Sequence, residues 1–369
     1  MASIATKGEP ALLRVKAAAN TARSGVPDDM ALLRAASELT RDLNAANPKI
    51  YWTDFLGSAL LGYLALAAAI WAPATGPMLA AACVAVLALY RAGSFIHELT
   101  HVRHRELPGF RLGYNAIIGI PLLVPSFLYE GVHQLHHART RYGTVEDPEY
   151  LPLALMKPWT VPLFVMIAAF GPLVLLVRFA LLTPLSFLIP PLRTIVVERY
   201  SGLVINPVFR RRAPEGEMKK QWLVQEVAAS VWANALLIGV LTGTLSLHAF
   251  LVFIGVASAT IVFNQVRTLV AHLWENEGDV LSTTAQFLDS VNVPPPNMLS
   301  ALWAPVGLRY HATHHLLPGL PYHALGEAHR RLSANLAPGS TYDQASYKGL
   351  PGLVARLVKS SFAVGTMRG

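Results

Sequence analysis

Cysteine is nearly absent from this chain of 369 residues, which contains only Cys83. A single cysteine excludes a disulfide within the chain, and it cannot supply the ligands of an iron–sulfur cluster or a cysteine-rich zinc site. The sequence also lacks a GxGxxG nucleotide fingerprint and an HPGG haem motif. Any bound metal must therefore have histidine and oxygen ligands, and redox chemistry would need electrons from a separate carrier.

Charged residues are scarce as well. They make up 14% of the chain, against 53% hydrophobic residues, whereas soluble domains have about a quarter charged residues. The formal net charge is +8, but the lysines and arginines lie mostly between the apolar runs, as the positive-inside rule places them. The composition predicts an integral membrane protein that contacts anionic membrane lipids, with no nucleic-acid partner.

Apolar runs of about 20 residues can cross the roughly 30 Å hydrocarbon core as helices. Such runs predict an all-α protein with about four transmembrane helices in two hairpins, at 55–71, 77–96, 223–241 and 249–270. A further apolar stretch, 159–197, is interrupted by prolines, and it predicts either a re-entrant hairpin or a pair of interfacial helices. We expect a cytoplasmic N-terminal segment at 1–50, a membrane domain at 51–335 and a C-terminal tail at 336–369.

Histidine is concentrated in three short motifs. HELTH places His97 and His101 four residues apart, and both HQLHH and HATHH follow an i, i+3, i+4 spacing that puts three imidazoles on one helix face. One HxxHH motif is expected by chance in roughly one of sixty sequences of this histidine content, so two are not accidental. The span count places all three motifs, and His272 after the last span, on one side of the membrane.

Eight or nine imidazoles are more than one tetrahedral zinc ion can use. They are suited to two metal ions, each with several nitrogen ligands and an open position. A pair of redox-active iron ions with such ligands could activate dioxygen. The sequence therefore predicts a two-metal centre made mainly of histidine.

HELTH, HQLHH followed by DPEY, and HATHHLLPGLPYH resemble the three histidine boxes of the membrane fatty acid desaturase family, which includes related lipid hydroxylases. The resemblance covers roughly residues 50–335. It implies a four-span helical fold, a cytoplasmic cap with a di-iron centre, and O₂-dependent attack on a C–H bond of an acyl lipid. The metal ligands that it implies are His97, His101, His133, His136, His137, His272, His311, His314 and His315.

The same resemblance implies a separate electron donor, either a ferredoxin, a rubredoxin or a cytochrome b-type protein. We take desaturation as the main expectation. Hydroxylation on the same scaffold stays as its alternative, because no motif reports which of the two reactions follows C–H cleavage. Alanine-rich spans without a fused domain indicate a bacterial inner-membrane protein whose histidine boxes face the cytoplasm. One departure from the family pattern is Thr268, which stands where some members have an asparagine four residues before the additional histidine.

Other polar residues near the boxes are candidates for ligation or for support of a ligand. Glu98 and Asp147 could orient ligand rings through their N–H groups, although local capping also explains Asp147. Arg267 could neutralise such carboxylates, or it could extend to the membrane interface. His104 only loosely shares the face of the first box, and His323 is placed in a supporting role or at the surface.

Two other classes of function remain open at this point. HELTH also matches the HExxH motif of zinc proteases, with Glu98 as general base. That reading requires only one further ligand and leaves both HxxHH motifs unexplained. A non-enzymatic metal transporter is the second rival, but transport sites usually lie within spans near the midplane, whereas these boxes lie beyond the span ends.

Overall fold

The computed structural model describes residues 25–297 and 299–368, and over these residues it is all-α, with only isolated β-bridges between loops. The first half contains α1 (Met30–Thr40), α2 (Pro48–Ile70), α3 (Thr75–Gly93), α4 (Phe95–His101), α5 (Phe110–Tyr114), α6 (His133–His136), α7 (Thr160–Ala168) and α8 (Gly171–Val177). The second half contains α9 (Thr183–Leu188), α10 (Pro190–Tyr200), α11 (Gly216–Leu241), α12 (Leu247–Leu269), α13 (Thr283–Asp289), α14 (Ser300–Trp303), α15 (His311–Leu316), α16 (Tyr322–Asn335) and α17 (Leu350–Arg368). The predicted all-α fold is confirmed.

Five helical segments of the described chain are long and apolar enough to cross a membrane: Pro48–Ile70, Thr75–His101, Gly171–Leu188, Gly216–Leu241 and Leu247–Leu269. Four of them coincide with the four predicted spans to within seven residues at each end, and two of these end one residue earlier than predicted. The fifth falls within the proline-interrupted stretch 159–197, where a re-entrant hairpin or interfacial helices were the expectation. The molecule is thus an integral membrane protein with five candidate spans: the four predicted ones and one in the stretch where an additional hairpin was considered.

The α2–α3 hairpin begins with a well-formed cap. The side chain of Asn47 accepts a hydrogen bond from the Lys49 N–H, and Pro48 occupies the first turn, where its missing N–H costs nothing. At the end of this hairpin that lies next to α4, the rings of Tyr51, Phe55 and Phe95 pack edge to face in a fully buried cluster. This cluster fixes α4, which continues from α3 and carries the first histidine box.

The segment Gly171–Leu188 is attached to α11 by ionic contacts inside the protein. Arg178 donates to Glu226 Oε1 at 2.7 Å, and Arg193 donates to both oxygens of the same carboxylate at 2.8 Å. Arg178 and Glu226 are buried, so removal of either partner would leave an uncompensated charge in an apolar environment. Charged residues in a candidate span are therefore tolerated here because they face other helices.

The α11–α12 hairpin returns the chain to the end where α4 lies. At the opposite end, His248 is 3.1 Å from the carbonyl oxygen of Ile70, so the turns of both hairpins meet there, far from the histidine boxes. His272 follows α12 directly. The histidines that follow both hairpins therefore lie at one end of the molecule.

The chain after α12 forms a cap of short helices around the delivered histidines. The side chain of Asn292 organises it, accepting from the Thr313 N–H at 3.0 Å and donating to the Thr313 hydroxyl at 3.0 Å. Within the expected N-terminal segment, residues 1–24 lie outside the described residues, while α1 joins the cap through Leu32 and Ala36. The limits of the three predicted regions stay predictions.

Candidate metal centre

Nine histidines converge at the cap end in two groups, in each of which the ligand atoms lie within 4.8 Å of one another. The five-histidine group consists of His97, His101, His133, His137 and His314. The four-histidine group consists of His136, His272, His311 and His315. These are the nine residues singled out from the sequence, and their ligation of metal stays a prediction.

The i, i+3, i+4 spacing explains how one short helix serves both groups. In HQLHH, His133 and His137 point to the five-histidine group, whereas His136 points to the four-histidine group. In HATHH the last two histidines separate in the same way, His314 to the first group and His315 to the second. Each HxxHH box therefore contributes to both groups, which holds the groups side by side.

Close approach of imidazole nitrogens marks both groups. In the five-histidine group, His137 Nε2 lies 3.0 Å from His133 Nε2 and 3.2 Å from His314 Nε2. In the four-histidine group, His311 Nε2 lies 3.1 Å from His272 Nε2 and 3.2 Å from His315 Nε2. Such distances bring several nitrogen donors to a common point.

Two carboxylates orient the rings of the second box. Asp147 contacts His136 Nδ1 with both oxygens, at 2.9 and 3.0 Å, and it also accepts from the N–H groups of Gly143 and Glu149. Glu149 contacts His133 Nδ1 at 2.9 Å and accepts from the Tyr129 hydroxyl at 2.8 Å. A carboxylate at Nδ1 fixes that nitrogen as the proton donor and leaves the Nε2 lone pair for a metal.

A third carboxylate acts on the four-histidine group through a tyrosine. The Tyr142 hydroxyl donates to Asp289 at 2.8 Å, so its oxygen is free to accept from His272 Nδ1, also at 2.8 Å. The Tyr150 hydroxyl donates to the same Asp289 oxygen at 2.9 Å. All three acidic and phenolic groups are buried, which strengthens these hydrogen bonds.

Arg267 is buried near the end of α12, where its guanidinium lies 3.2 Å from His311 Nδ1 and 3.4 Å from the carbonyl oxygen of Leu308. The arginine places a fixed positive charge beside the four-histidine group. It lines the same cavity as Glu149 and His97, and its charge favours a lower pKa for Glu149. Its predicted roles, neutralising a carboxylate or extending to the membrane interface, stay predictions.

Burial keeps most of these imidazoles neutral. It holds the pKa well below the ordinary imidazole value for six of them outside the spans: His133, His137, His272, His311, His314 and His315. His136 differs: burial lowers its pKa, but the charge of Asp147 and the hydrogen bond to it outweigh that effect, so the pKa is raised. Burial also raises the pKa of Glu149 to about 7.

This donor set fits metal ions. Neutral imidazoles whose Nδ1 protons are engaged would bring Nε2 lone pairs to about 3 Å from one another, which is repulsive unless a cation lies between them. In addition, both ring nitrogens of His97, the Nε2 of His101 and the Nδ1 of His314 are buried without a hydrogen-bond partner in the described part of the chain. A metal ion in each group would satisfy these nitrogens.

The contacts of Glu98 do not suit the general base of a protease. Its carboxylate accepts from the Tyr51 hydroxyl at 2.5 Å and from the Tyr322 N–H at 3.0 Å, while His97 Nδ1 lies 3.5 Å away. These contacts attach the first box to α2 and to the cap. A general base needs a carboxylate that faces metal-bound water, so the geometry counts against the HExxH interpretation.

Four other histidines lie outside both groups, and one of them, His248, is at the opposite end of the molecule. His104 lines a separate cavity of about 240 Å³ together with Arg111. His323 Nε2 accepts from the Asn47 N–H at 3.1 Å, and His329 Nδ1 lies 2.9 Å from the Tyr342 hydroxyl. The structure thus places His104 and His323, both candidates from the sequence, away from the two groups.

A cavity of about 300 Å³ adjoins both groups and extends into the span region. Its histidine wall contains His97 and His133 from one group and His136, His272 and His311 from the other. Side chains of α3 and α12, such as Ile261, and of the connections outside the spans, such as Leu203 and Leu308, also line it. The volume is at the lower end of ligand-binding pockets and is sufficient for a segment of a lipid.

Sequence reasoning missed Glu149, Tyr129, Tyr142 and Asp289. Glu149 lies in the quoted DPEY motif, two residues after Asp147, so its proximity to the second box was a usable signal. Tyr142 and Asp289 are 147 residues apart, and their link to His272 arises only from the tertiary fold.

Comparisons with known proteins agree with this geometry. The profile of the fatty acid desaturase family matches residues 68–346. A ceramide hydroxylase of Caulobacter vibrioides (strain NA1000 / CB15N) is 49% identical over 324 residues, which are 87% of this chain and 92% of that protein. The matched region contains all three histidine boxes, both histidine groups and the adjoining cavity. This chain therefore belongs to the fatty acid desaturase family.

Proposed function

We propose that the protein is an O₂-dependent lipid hydroxylase that acts on a ceramide. The observation that carries this proposal is the 49% identity to a ceramide hydroxylase over 87% of the chain. Desaturation was the main expectation from the sequence, but the relative supports its stated alternative. The reaction balances as R–H + O₂ + 2 e⁻ + 2 H⁺ → R–OH + H₂O.

The two histidine groups are proposed to hold two iron ions, which when bound supply the site of O₂ reduction. The chain supports them in three ways. Asp147, Glu149 and Tyr142 hold the Nδ1 protons of their histidines, so that the Nε2 lone pairs face inward. Burial keeps the other imidazoles neutral and therefore able to ligate.

The cavity beside the groups is proposed to bind the reacting part of the lipid. Its walls exclude water and hold the chain in one orientation, which lowers the entropic part of the barrier. The two electrons are proposed to come from a separate ferredoxin, rubredoxin or cytochrome b-type protein. We propose that the boxes face the cytoplasm of a bacterial inner membrane, because basic residues such as Arg210 and Arg212 lie in the connection before α11.

The decisive experiment is lipid mass spectrometry on a host that makes ceramide and expresses the protein. We expect ceramide with one added oxygen, and none of it in a host that expresses His314→Ala. Loss of two hydrogens would instead establish a desaturase. No lipid change, from a preparation that contains zinc and no iron, would overturn the proposal.

A further inference from the structure

The wall of the 300 Å³ cavity contains a row of polar side chains within a candidate span. Thr260, Asn264 and Thr268 follow one another at i, i+4 and i+8 on α12, so they lie on one face, and all three line the cavity. Gln265 lines it as well. Ile96 and Val124 are among the apolar residues of the same lining.

With the hydrogen bonds that the structure shows, the two threonines of this row offer acceptor oxygens toward a ligand. Thr260 Oγ1 donates its proton to the carbonyl oxygen of Val256 at 2.9 Å, and Thr268 Oγ1 donates to that of Asn264 at 2.9 Å. Their oxygen lone pairs remain directed away from the helix backbone. A ligand that satisfies them must therefore carry N–H or O–H donors.

Asn264 is exposed on α12, and its side-chain amide has no hydrogen-bond partner among the residues that the structure describes. Asn264 lies five residues before the end of α12, which is about 8 Å inside the helix end at 1.5 Å per residue. At that depth in a bilayer an unpaired amide is costly, because lipid tails offer it no partner. The amide both donates and accepts, so its complement is a group that does both.

We propose that Asn264, with the oxygens of Thr260 and Thr268, binds the amide and hydroxyl groups of the lipid and so selects amide-linked over ester-linked lipids. A ceramide supplies an amide N–H, an amide carbonyl and hydroxyl groups, which match the row in number and kind. A diacylglycerol supplies two ester carbonyls, which only accept, and a single hydroxyl donor, so it has fewer donors for the threonine oxygens and no amide to pair with Asn264. This inference rests on the proposed function, since it assigns the specificity of the same site.

The test compares a short-chain ceramide with a diacylglycerol of matched chains, each added to the purified full chain in detergent. Binding is measured from the rise in the thermal unfolding midpoint as lipid is titrated. Asn264→Leu keeps the size of the side chain and removes its hydrogen bonds. Ala259→Leu is the matched control, because Ala259 is exposed on α12 and is not part of the cavity lining.

We expect the intact chain and Ala259→Leu to prefer the ceramide, and Asn264→Leu to lose up to about tenfold of that preference, as for loss of one hydrogen bond to the lipid. Asn264→Gln should recover part of it, and Thr260→Val should lose less than Asn264→Leu. The proposal is overturned if the intact chain binds both lipids equally, or if Asn264→Leu keeps the full preference.

Mass spectrometry of the products separates this inference from the proposed function. A ceramide preference that depends on Asn264, without any hydroxylated product, would support the inference while the proposed reaction fails. Equal hydroxylation of ceramide and ester lipid by the intact chain would retain the hydroxylase and overturn the inference.

Discussion

The two histidine groups differ in how their outward ring nitrogens are held. In the four-histidine group, hydrogen bonds reach three rings from three directions: Asp147 to His136, Tyr142 to His272 and Arg267 to His311. In the five-histidine group a carboxylate, Glu149, is bonded to His133. The Nδ1 atoms of His97 and His314 have no hydrogen-bond partner in the described part of the chain.

The difference suggests two ways to build a metal site from imidazoles. If the proposed ligation is right, the four-histidine group would have few ligands in fixed orientations, so each would be essential. The five-histidine group would have one more ligand and fewer oriented rings, so its geometry could adjust when metal or a small molecule binds. A site that changes its coordination during turnover benefits from the second arrangement, whereas a site of constant coordination benefits from the first.

Removal of one ligand from each group should give the largest effect and should differ between the groups. His315→Ala leaves the four-histidine group with three ligands, and we expect metal content to fall from two ions to about one per chain, with loss of the hydroxylated product. His101→Ala leaves four ligands in the other group, and we expect it to retain more metal. Elemental analysis of purified protein gives both numbers, and equal metal loss in the two variants would break the comparison.

The two carboxylates of the second box should show the next largest effect. Loss of such a supporting carboxylate typically weakens metal affinity by about 10- to 100-fold. We expect Asp147→Asn at the upper end of this range, because Asp147 also holds its loop through the N–H groups of Gly143 and Glu149. Glu149→Gln should lie at the lower end. Competition with a chelator of known affinity measures both, and the reverse order would show that the loop contacts are unimportant.

The part of the site that could be predicted from the sequence is the part encoded locally. Spacings of three and four residues identified the histidines of the three boxes, because helix geometry fixes which side chains share a face. Their separation into two groups was not predictable, because it depends on how α4, α6 and α15 are oriented around each other. Asp289 was missed for a similar reason, since its contact with Tyr142 bridges 147 residues of chain.

In the membrane-spanning part, too, only the locally encoded features could be predicted. Apolar runs predicted four candidate spans, but the stretch 159–197 remained ambiguous because proline both interrupts helices and begins them. In the structure Pro172 and Pro184 lie in the first turns of α8 and α9, where they are compatible with a helix. The buried contact from Arg178 to Glu226, which attaches this segment to α11, could not be inferred from hydropathy.

The tyrosine link to His272 should show a smaller effect than direct carboxylate contacts. Tyr142→Phe removes the hydroxyl between His272 and Asp289 but leaves the ring packing in place. We expect metal affinity of the four-histidine group to fall by about three- to tenfold, below the effect of Asp147→Asn. Ser290→Ala, which removes a longer contact of 3.2 Å to the same nitrogen, is the matched comparison and should have less effect. An effect of Tyr142→Phe as large as that of Asp147→Asn would contradict this order.

Acidification should remove metal from the four-histidine group first, and this is the smallest of the expected effects. The raised pKa of His136 means that it binds a proton at a higher pH than His133 and His137, whose pKa values burial keeps well below the ordinary value. Because His136 Nδ1 already contacts Asp147, the added proton occupies Nε2 and competes with metal there.

The sign of this effect can be checked on the metal-free chain. The raised pKa of His136 contributes stability below about pH 6.5 that is lost as pH rises through its folded value. The lowered pKa values of His133 and His137 contribute stability above about pH 6.5 that is lost as pH falls. Acid therefore disfavours both groups through charge burial at their histidines of lowered pKa, which in the four-histidine group are His272, His311 and His315. Only at His136 does acid supply a proton that the fold accepts in place of metal.

Dialysis at stepped pH, from about 7.5 to about 5, followed by elemental analysis, measures the order of release. His315→Ala, whose remaining ion belongs to the five-histidine group, should keep that ion to a lower pH than the intact chain keeps its first ion. Asp147→Asn removes the charge that raises the pKa of His136, so proton competition at the four-histidine group should shift to lower pH even though its metal is bound more weakly. His315→Ala could instead lose its ion at the same pH at which the intact chain loses its first ion. In that case protons compete with metal equally in the two groups, and the different hydrogen bonds affect only the orientation of the imidazole rings.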